Sequence, residues 1–164
     1  MATDKGLAAL SQALKLEQQG RAFYLQAAEE TLDEKGKAMF LSLADDEATH
    51  ADIIQRQLHA LEGDGAYVLL PDLSVKPIDL GVELFPPDRE KLEAKIGVDP
   101  SEIDALHVAI GNEIASYNLY RKAAQAADSP AGKQMYRWLA DAEVTHFNLL
   151  MSNYESLVSL GSWV

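Results

Sequence analysis

Six side chains could share one piece of chemistry: Glu17, Glu47, His50, Glu113, Glu143 and His146. Glu47 and His50 lie in Leu43-Ala-Asp-Asp-Glu-Ala-Thr-His50, and nearly the same words return as Leu139-Ala-Asp-Ala-Glu-Val-Thr-His146. On a helix, Glu-x-x-His sets a carboxylate and an imidazole one turn apart on one face. Each motif is preceded, 30 residues earlier, by a further glutamate, Glu17 or Glu113. All four glutamates interrupt otherwise apolar stripes. An isolated ionised carboxylate in a low-dielectric core costs on the order of tens of kcal/mol, so it must protonate, pair or bind a cation. No matching set of Lys or Arg lies on these stripes, and Arg21 is the one internal partner the sequence offers. Four carboxylates balance two divalent cations while both histidines stay neutral. Oxygen and nitrogen ligands without thiolate suit iron or manganese, with zinc also open.

The elements that must position these groups are helices. From about Thr3 to Glu30 the chain is rich in Ala, Leu, Gln, Glu and Lys, all strong helix formers. Leu10, Leu14, Glu17, Tyr24 and Ala28 follow the spacing of an inward stripe. A short turn over Asp33 to Gly36 returns the chain antiparallel. The second helix, about Glu34 to Leu61, aligns Phe40, Leu43, Glu47, His50, Ile54, Leu58 and Leu61, and Gly63-Asp-Gly65 ends it. Residues 66–99 carry Pro71, Pro77, Pro86 and Pro87 and read as a crossover, with Tyr67 to Leu70 extended and Asp88 to Lys95 a short helix. Asp99-Pro100 and Ser129-Pro130 are helix starts. The third helix, to about Ala127, aligns Ile103, Leu106, Ile110, Glu113, Tyr117, Tyr120 and Ala124. The fourth aligns Tyr136, Leu139, Glu143, His146, Leu150, Tyr154 and Leu157. The tail from Gly161 to Val164 is too short for a fifth helix.

The two halves repeat. Adding 96 to positions 17–50 aligns them with 113–146 without a gap, and 13 of the 34 pairs are identical. Only three of those pairs are candidate ligands, so the likeness is not produced by selecting them. The expected fold is therefore all-α: an internally duplicated four-helix bundle of two antiparallel hairpins, about 3–62 and 100–160, joined by a long crossover, about 63–99, in a single domain.

Around the centre, Tyr24 and Tyr120 follow Glu17 and Glu113 by seven residues, hence on the same face. They would either hydrogen-bond those carboxylates or fill core. Asp46 is placed to orient His146, and because its counterpart is Ala142 such support would be one-sided. Asp45 and Asp141 point off the stripe toward solvent, His59 reads as a surface histidine and His107 as a boundary one.

Composition narrows the function. The formal charge of −12 disfavours nucleic acid and anionic lipid as partners. The absence of Cys removes disulfides, thiolate metal sites and a thiol nucleophile. No stretch reads as a membrane span or signal-peptide core, so a cytoplasmic protein is expected. A homodimer is the default assembly.

A Glu from each of two helices plus Glu-x-x-His from each of the others is the set used by di-iron and di-manganese carboxylate bundles. On these six positions the chain resembles the ferritin-like superfamily and, within it, the rubrerythrin-like (erythrin) group without a rubredoxin domain. The resemblance spans both hairpins. It implies Glu17 and Glu113 as terminal ligands, Glu47 and Glu143 as bridging ligands, and one metal capped by each of His50 and His146. It further implies two iron ions and reduction of hydrogen peroxide or dioxygen, with electrons from an external donor. The chain departs from the group in two places: the further Glu that typical rubrerythrins carry one turn after the third-helix ligand is Ser116 here, and there is no Cys-rich domain. Ala48 after Glu47 leaves no methionine haem ligand, and the missing fifth helix argues against a storage cage. An iron-handling, ferroxidase-type protein and a structural bundle with a vestigial or zinc-filled site are the alternatives.

Overall fold

The computed structural model describes residues 2–74, 77–87 and 99–164. Four helices account for most of them: α1, Ala2–Glu30; α2, Glu34–Asp64; α3, Pro100–Ala126; and α4, Pro130–Leu160. α1 pairs with α2 and α3 with α4 as hairpins, and α1 also packs on α3. The fold is thus the four-helix bundle of two hairpins, joined by a long crossover. Among the described residues there is no strand, and Tyr67 to Leu70 carries no regular secondary structure. The short helix expected over Asp88 to Lys95 lies outside the described residues.

Local chemistry fixes where the helices begin and end. Asp33 caps α2, its Oδ1 accepting from the amides of Lys35 at 2.8 Å and Gly36 at 3.0 Å. At the equivalent place Ser129 caps α4 by accepting from Gly132, and Asp99 caps α3 by accepting from Ser101. Pro100 and Pro130 open the last two helices where a missing N–H costs nothing. Gly65 and Gly161 close α2 and α4 in the left-handed region, at φ of 70° and 74°, where a side chain would be strained. The observed α2 runs three residues past Leu61 before this stop.

The duplication extends beyond position 50. Gly65 and Gly161 are 96 apart, as are Tyr67 and Trp163, Val68 and Val164, and Gln57 and Asn153. Each set forms the same device. The aromatic ring after the glycine stop lies on a glycine in the first turn of the opposite hairpin's second helix, Tyr67 on Gly132 and Trp163 on Gly36. The buried amide then captures the next residue's backbone. Gln57 binds both the N–H and the C=O of Val68, and Asn153 accepts from the N–H of Val164 at 3.1 Å. The tail beyond α4 is therefore a docked plug, not a helix.

The described part of the crossover packs on α3 and α4. Gln134 holds the backbone of Leu70 and Leu73, and Tyr117 donates to the carbonyl of Val82 at 2.6 Å. Leu70 and Leu73 are buried in the apolar cluster that includes Leu10, Ile54, Met135 and Leu139. A second cluster, with Phe40, Leu43, Leu106, Ile110 and Leu150, fills the other end of the bundle. Between these two apolar blocks sits one polar layer.

Candidate metal centre

That layer consists of Glu17, Glu47, His50, Glu113, Glu143 and His146, every one at most 4% exposed. Helical repetition brings them to one level: each Glu-x-x-His on α2 or α4 presents both groups on the inner face, and Glu17 and Glu113 meet them from α1 and α3. Their ligand-type atoms fall into two groups, Glu17, Glu47, His50 and Glu143, and Glu47, Glu113, Glu143 and His146, each within 4.8 Å mutually.

The two central glutamates face both ways. Glu47 turns one oxygen to His50 Nδ1 at 3.6 Å and the other to His146 Nδ1 at 3.4 Å. Glu143 does the same, at 3.5 Å and 3.4 Å. Glu17 meets only His50, at 3.3 Å, and Glu113 only His146, at 3.5 Å. Two carboxylates thus face both imidazoles and two face one each. The imidazole rings stack at 5.4 Å and 17°.

Several of these atoms have no hydrogen-bond partner although they are buried: both oxygens of Glu143, Glu113 Oε2 and His146 Nδ1. Buried polar atoms are almost always satisfied. Acceptors and a ring nitrogen left open toward one point fit a cation, so the residues present suit a pair of metal ions.

Without a cation, the cluster neutralises itself with protons. Burial pushes Glu47 up, helped by neighbouring Glu17, to about 7, and burial with the charge of Glu113 pushes Glu143 well above the usual carboxylate range. Burial acts upward on Glu17 too, but hydrogen bonds with Glu47 and His50 outweigh it and bring it down to about 2. Glu113 is likewise lowered against its burial, by Glu143 and His146. Burial works against charge on both histidines, yet the surrounding carboxylates win and raise His50 and His146. Below about pH 7 the negative charge thus concentrates on Glu17 and Glu113, facing the histidines, while Glu47 and Glu143 favour their protonated forms.

The tyrosines cross between hairpins. Tyr24 donates to Glu113 and Tyr120 to Glu17, so each serves the carboxylate of the opposite half, not the one on its own helix. Burial and the adjacent carboxylate keep both phenols protonated, raised well above the usual value. Asp46 accepts from or faces His146 Nε2 at 3.1 Å, and Ala142 stands at the matching place. Arg21 is exposed, at the edge of the stripe, and is not the internal partner expected of it. Asp45 and His59 are exposed, and Asp141 and His107 lie at the boundary.

A cavity of about 110 Å³ opens between α1 and α3 and reaches Glu47 and Glu113, past Gly20, Phe23, Tyr24 and Ser116. Gly20 and Ser116 are equivalent positions, three residues after Glu17 and Glu113, and their small size leaves the opening. Nothing in the apolar periodicity marks Gly20; its signal in the sequence is only its pairing with Ser116. On the far side a broader hollow exposes the outer edges of the histidines between Asp46, Asp72, Trp138 and Asp141.

A family model described as rubrerythrin matches residues 8–76, which take in the first hairpin with Glu17, Glu47 and His50. A solved structure titled as a hypothetical protein from Pyrococcus furiosus aligns over 91% of this chain and 87% of its own, with 28% identity and a TM-score of 0.66. No curated protein matches. The first hairpin is thus similar to the rubrerythrin model, and a second, equivalent hairpin completes the four-helix scaffold.

Proposed function

We propose that the protein is a di-iron oxidoreductase that reduces hydrogen peroxide or dioxygen at the Glu17, Glu47, His50, Glu113, Glu143 and His146 centre, with electrons from an external donor. The observation that carries this reading is the set of buried, unsatisfied ligand atoms converging between two Glu-x-x-His motifs. When bound, an iron pair supplies two electrons and open coordination positions for a small oxidant. For peroxide the balance is two electrons and two protons for two waters.

The chain's own residues set the conditions. Glu47 and Glu143 would contribute to both subsites, while Glu17 and Glu113 would each close one. The Tyr24 and Tyr120 hydroxyls hold the outer carboxylates in place from across the bundle. Apolar blocks above and below exclude water, which strengthens every electrostatic contact in the layer. The opening at Gly20 and Ser116 is the approach on the Glu47 and Glu113 side, and it suits a molecule of two to four atoms.

Anaerobic, ferrous-loaded protein mixed with peroxide should give a fast optical change as iron is oxidised. Glu143→Ala, which removes a carboxylate shared by both subsites, should abolish it. An unchanged spectrum in the parent protein defeats the proposal, and uptake far beyond two irons per chain would favour iron handling instead.

A further inference from the structure

We infer that the two cation subsites are unequal, and that Asp46 makes the subsite holding His146 the tighter one. The inference rests on the metal-centre reading above. Within the layer the halves are near-equivalent under the 96-residue shift, so the difference must come from what stands behind each imidazole. His146 directs Nδ1 into the cluster and Nε2 to Asp46 Oδ2 at 3.1 Å. A carboxylate there fixes the ring proton on Nε2, leaves the Nδ1 lone pair for a cation, holds the ring plane and raises its basicity.

His50 also directs Nδ1 inward, and among the described residues the carboxylates in ion-pair reach of it, Glu17, Glu47 and Glu143, all meet that nitrogen. Behind it stands Ala142 in place of an aspartate, with the Trp138 indole set edge-on at 5.4 Å. The residue equivalent to Trp138 is Ser42, which is exposed. One ring is therefore oriented by a charged acceptor and the other by an apolar wall. Asp46 is itself 54% exposed, and solvent tempers its effect toward the lower end of the usual range, about tenfold in affinity.

Metal-free protein titrated with Co(II), followed by ligand-field absorption and calorimetry, tests this without reference to turnover. The expected result is two steps about tenfold apart. Asp46→Ala should weaken the first by that factor, and Asp46→Asn, which keeps an acceptor, should recover part of the loss. Ala142→Asp should tighten the second step. Asp45→Ala removes the same charge from the neighbouring solvent-facing position and should move neither step. Two bound ions with an isotherm indifferent to Asp46, or Asp45→Ala acting as strongly as Asp46→Ala, overturns the inference while leaving the metal centre standing. Failure of the parent protein to bind Co(II) overturns both.

Discussion

Burial opposes charge on Glu17 and Glu113, but hydrogen bonds with Glu47 and Glu143, the histidine of their own hairpin and a hydroxyl from the opposite one favour the ionised forms. Those cross-bundle bonds belong to the residue scale, and so does their test. Tyr120→Phe removes the donor to Glu17 and leaves a buried carboxylate short of a partner, at a cost of about 1–3 kcal/mol. Urea unfolding of the metal-free protein should register that loss, and Tyr24→Phe should match it by pseudo-symmetry. Had the tyrosines merely filled core, losing one oxygen each would leave stability unchanged or improved. The glutamates and histidines were legible because polar groups in an apolar stripe are conspicuous. The direction of the tyrosines was not, because same-helix spacing says nothing about which neighbouring helix comes closest.

At the scale of elements, the plugs formed by Tyr67 and Trp163 lock the hairpins to one another. The two are not equally tight. A Cβ on Gly36 would lie 2.7 Å from the Trp163 ring and 2.8 Å from Thr31 Cγ2, whereas one on Gly132 would meet Tyr67 at 3.5 Å, an ordinary contact. Gly36→Ala should therefore displace the indole and cost about 1–3 kcal/mol by overpacking. Gly132→Ala should be neutral or slightly stabilising, since alanine is the better helix former. Thermal melts of the pair compare them directly, and equal effects would mean that the plug is not docked as described. Both glycines are visible in the repeat, as are the turn at Asp33 and the start at Ser129. Their function was hidden because the rings that meet them, Trp163 and Tyr67, follow the opposite hairpin and lie 127 and 65 positions away along the chain. Likewise, the proline-rich crossover announces that it is not a helix but not which surface it will cover; Gln134 and Tyr117 decide that.

For the whole molecule, the polar layer ties stability to pH and to cations. Without metal, Glu17 and Glu113 carry lowered values, so their contribution is present above the unfolded value of 4.5 and is lost on acidification. Glu47 and Glu143 are raised, so the unfolded chain releases their protons first and stability falls as pH climbs above 4.5. His50 and His146 are raised as well: their contribution is full below 6.5 and disappears as pH rises through the folded values. The metal-free protein should thus be most stable near pH 4.5 and melt progressively lower toward pH 8. Adding divalent metal should raise the melting temperature, by an amount that grows with pH as cations replace protons. Loading two ions should release about four protons, two from glutamates and two from histidines, measurable in weakly buffered solution. A metal-free melting temperature that rises from pH 6 to 8, or loading without proton release, would contradict this account.

The sequence by itself determined the helices, their pairing and the six ligand-type residues, because periodicity, caps and an internal repeat are properties of order along a chain. It also pointed to the one-sided support from Asp46, since a broken repeat is visible as Asp against Ala. Tertiary structure alone decided that Arg21 faces solvent, that the tyrosines serve the opposite hairpin, that Tyr67 and Trp163 are equivalent plugs, and that Gly20 and Ser116 leave an opening. Each of those depends on the rotation and separation of packed helices, which are fixed by the shapes of side chains meeting in three dimensions and have no counterpart in linear spacing.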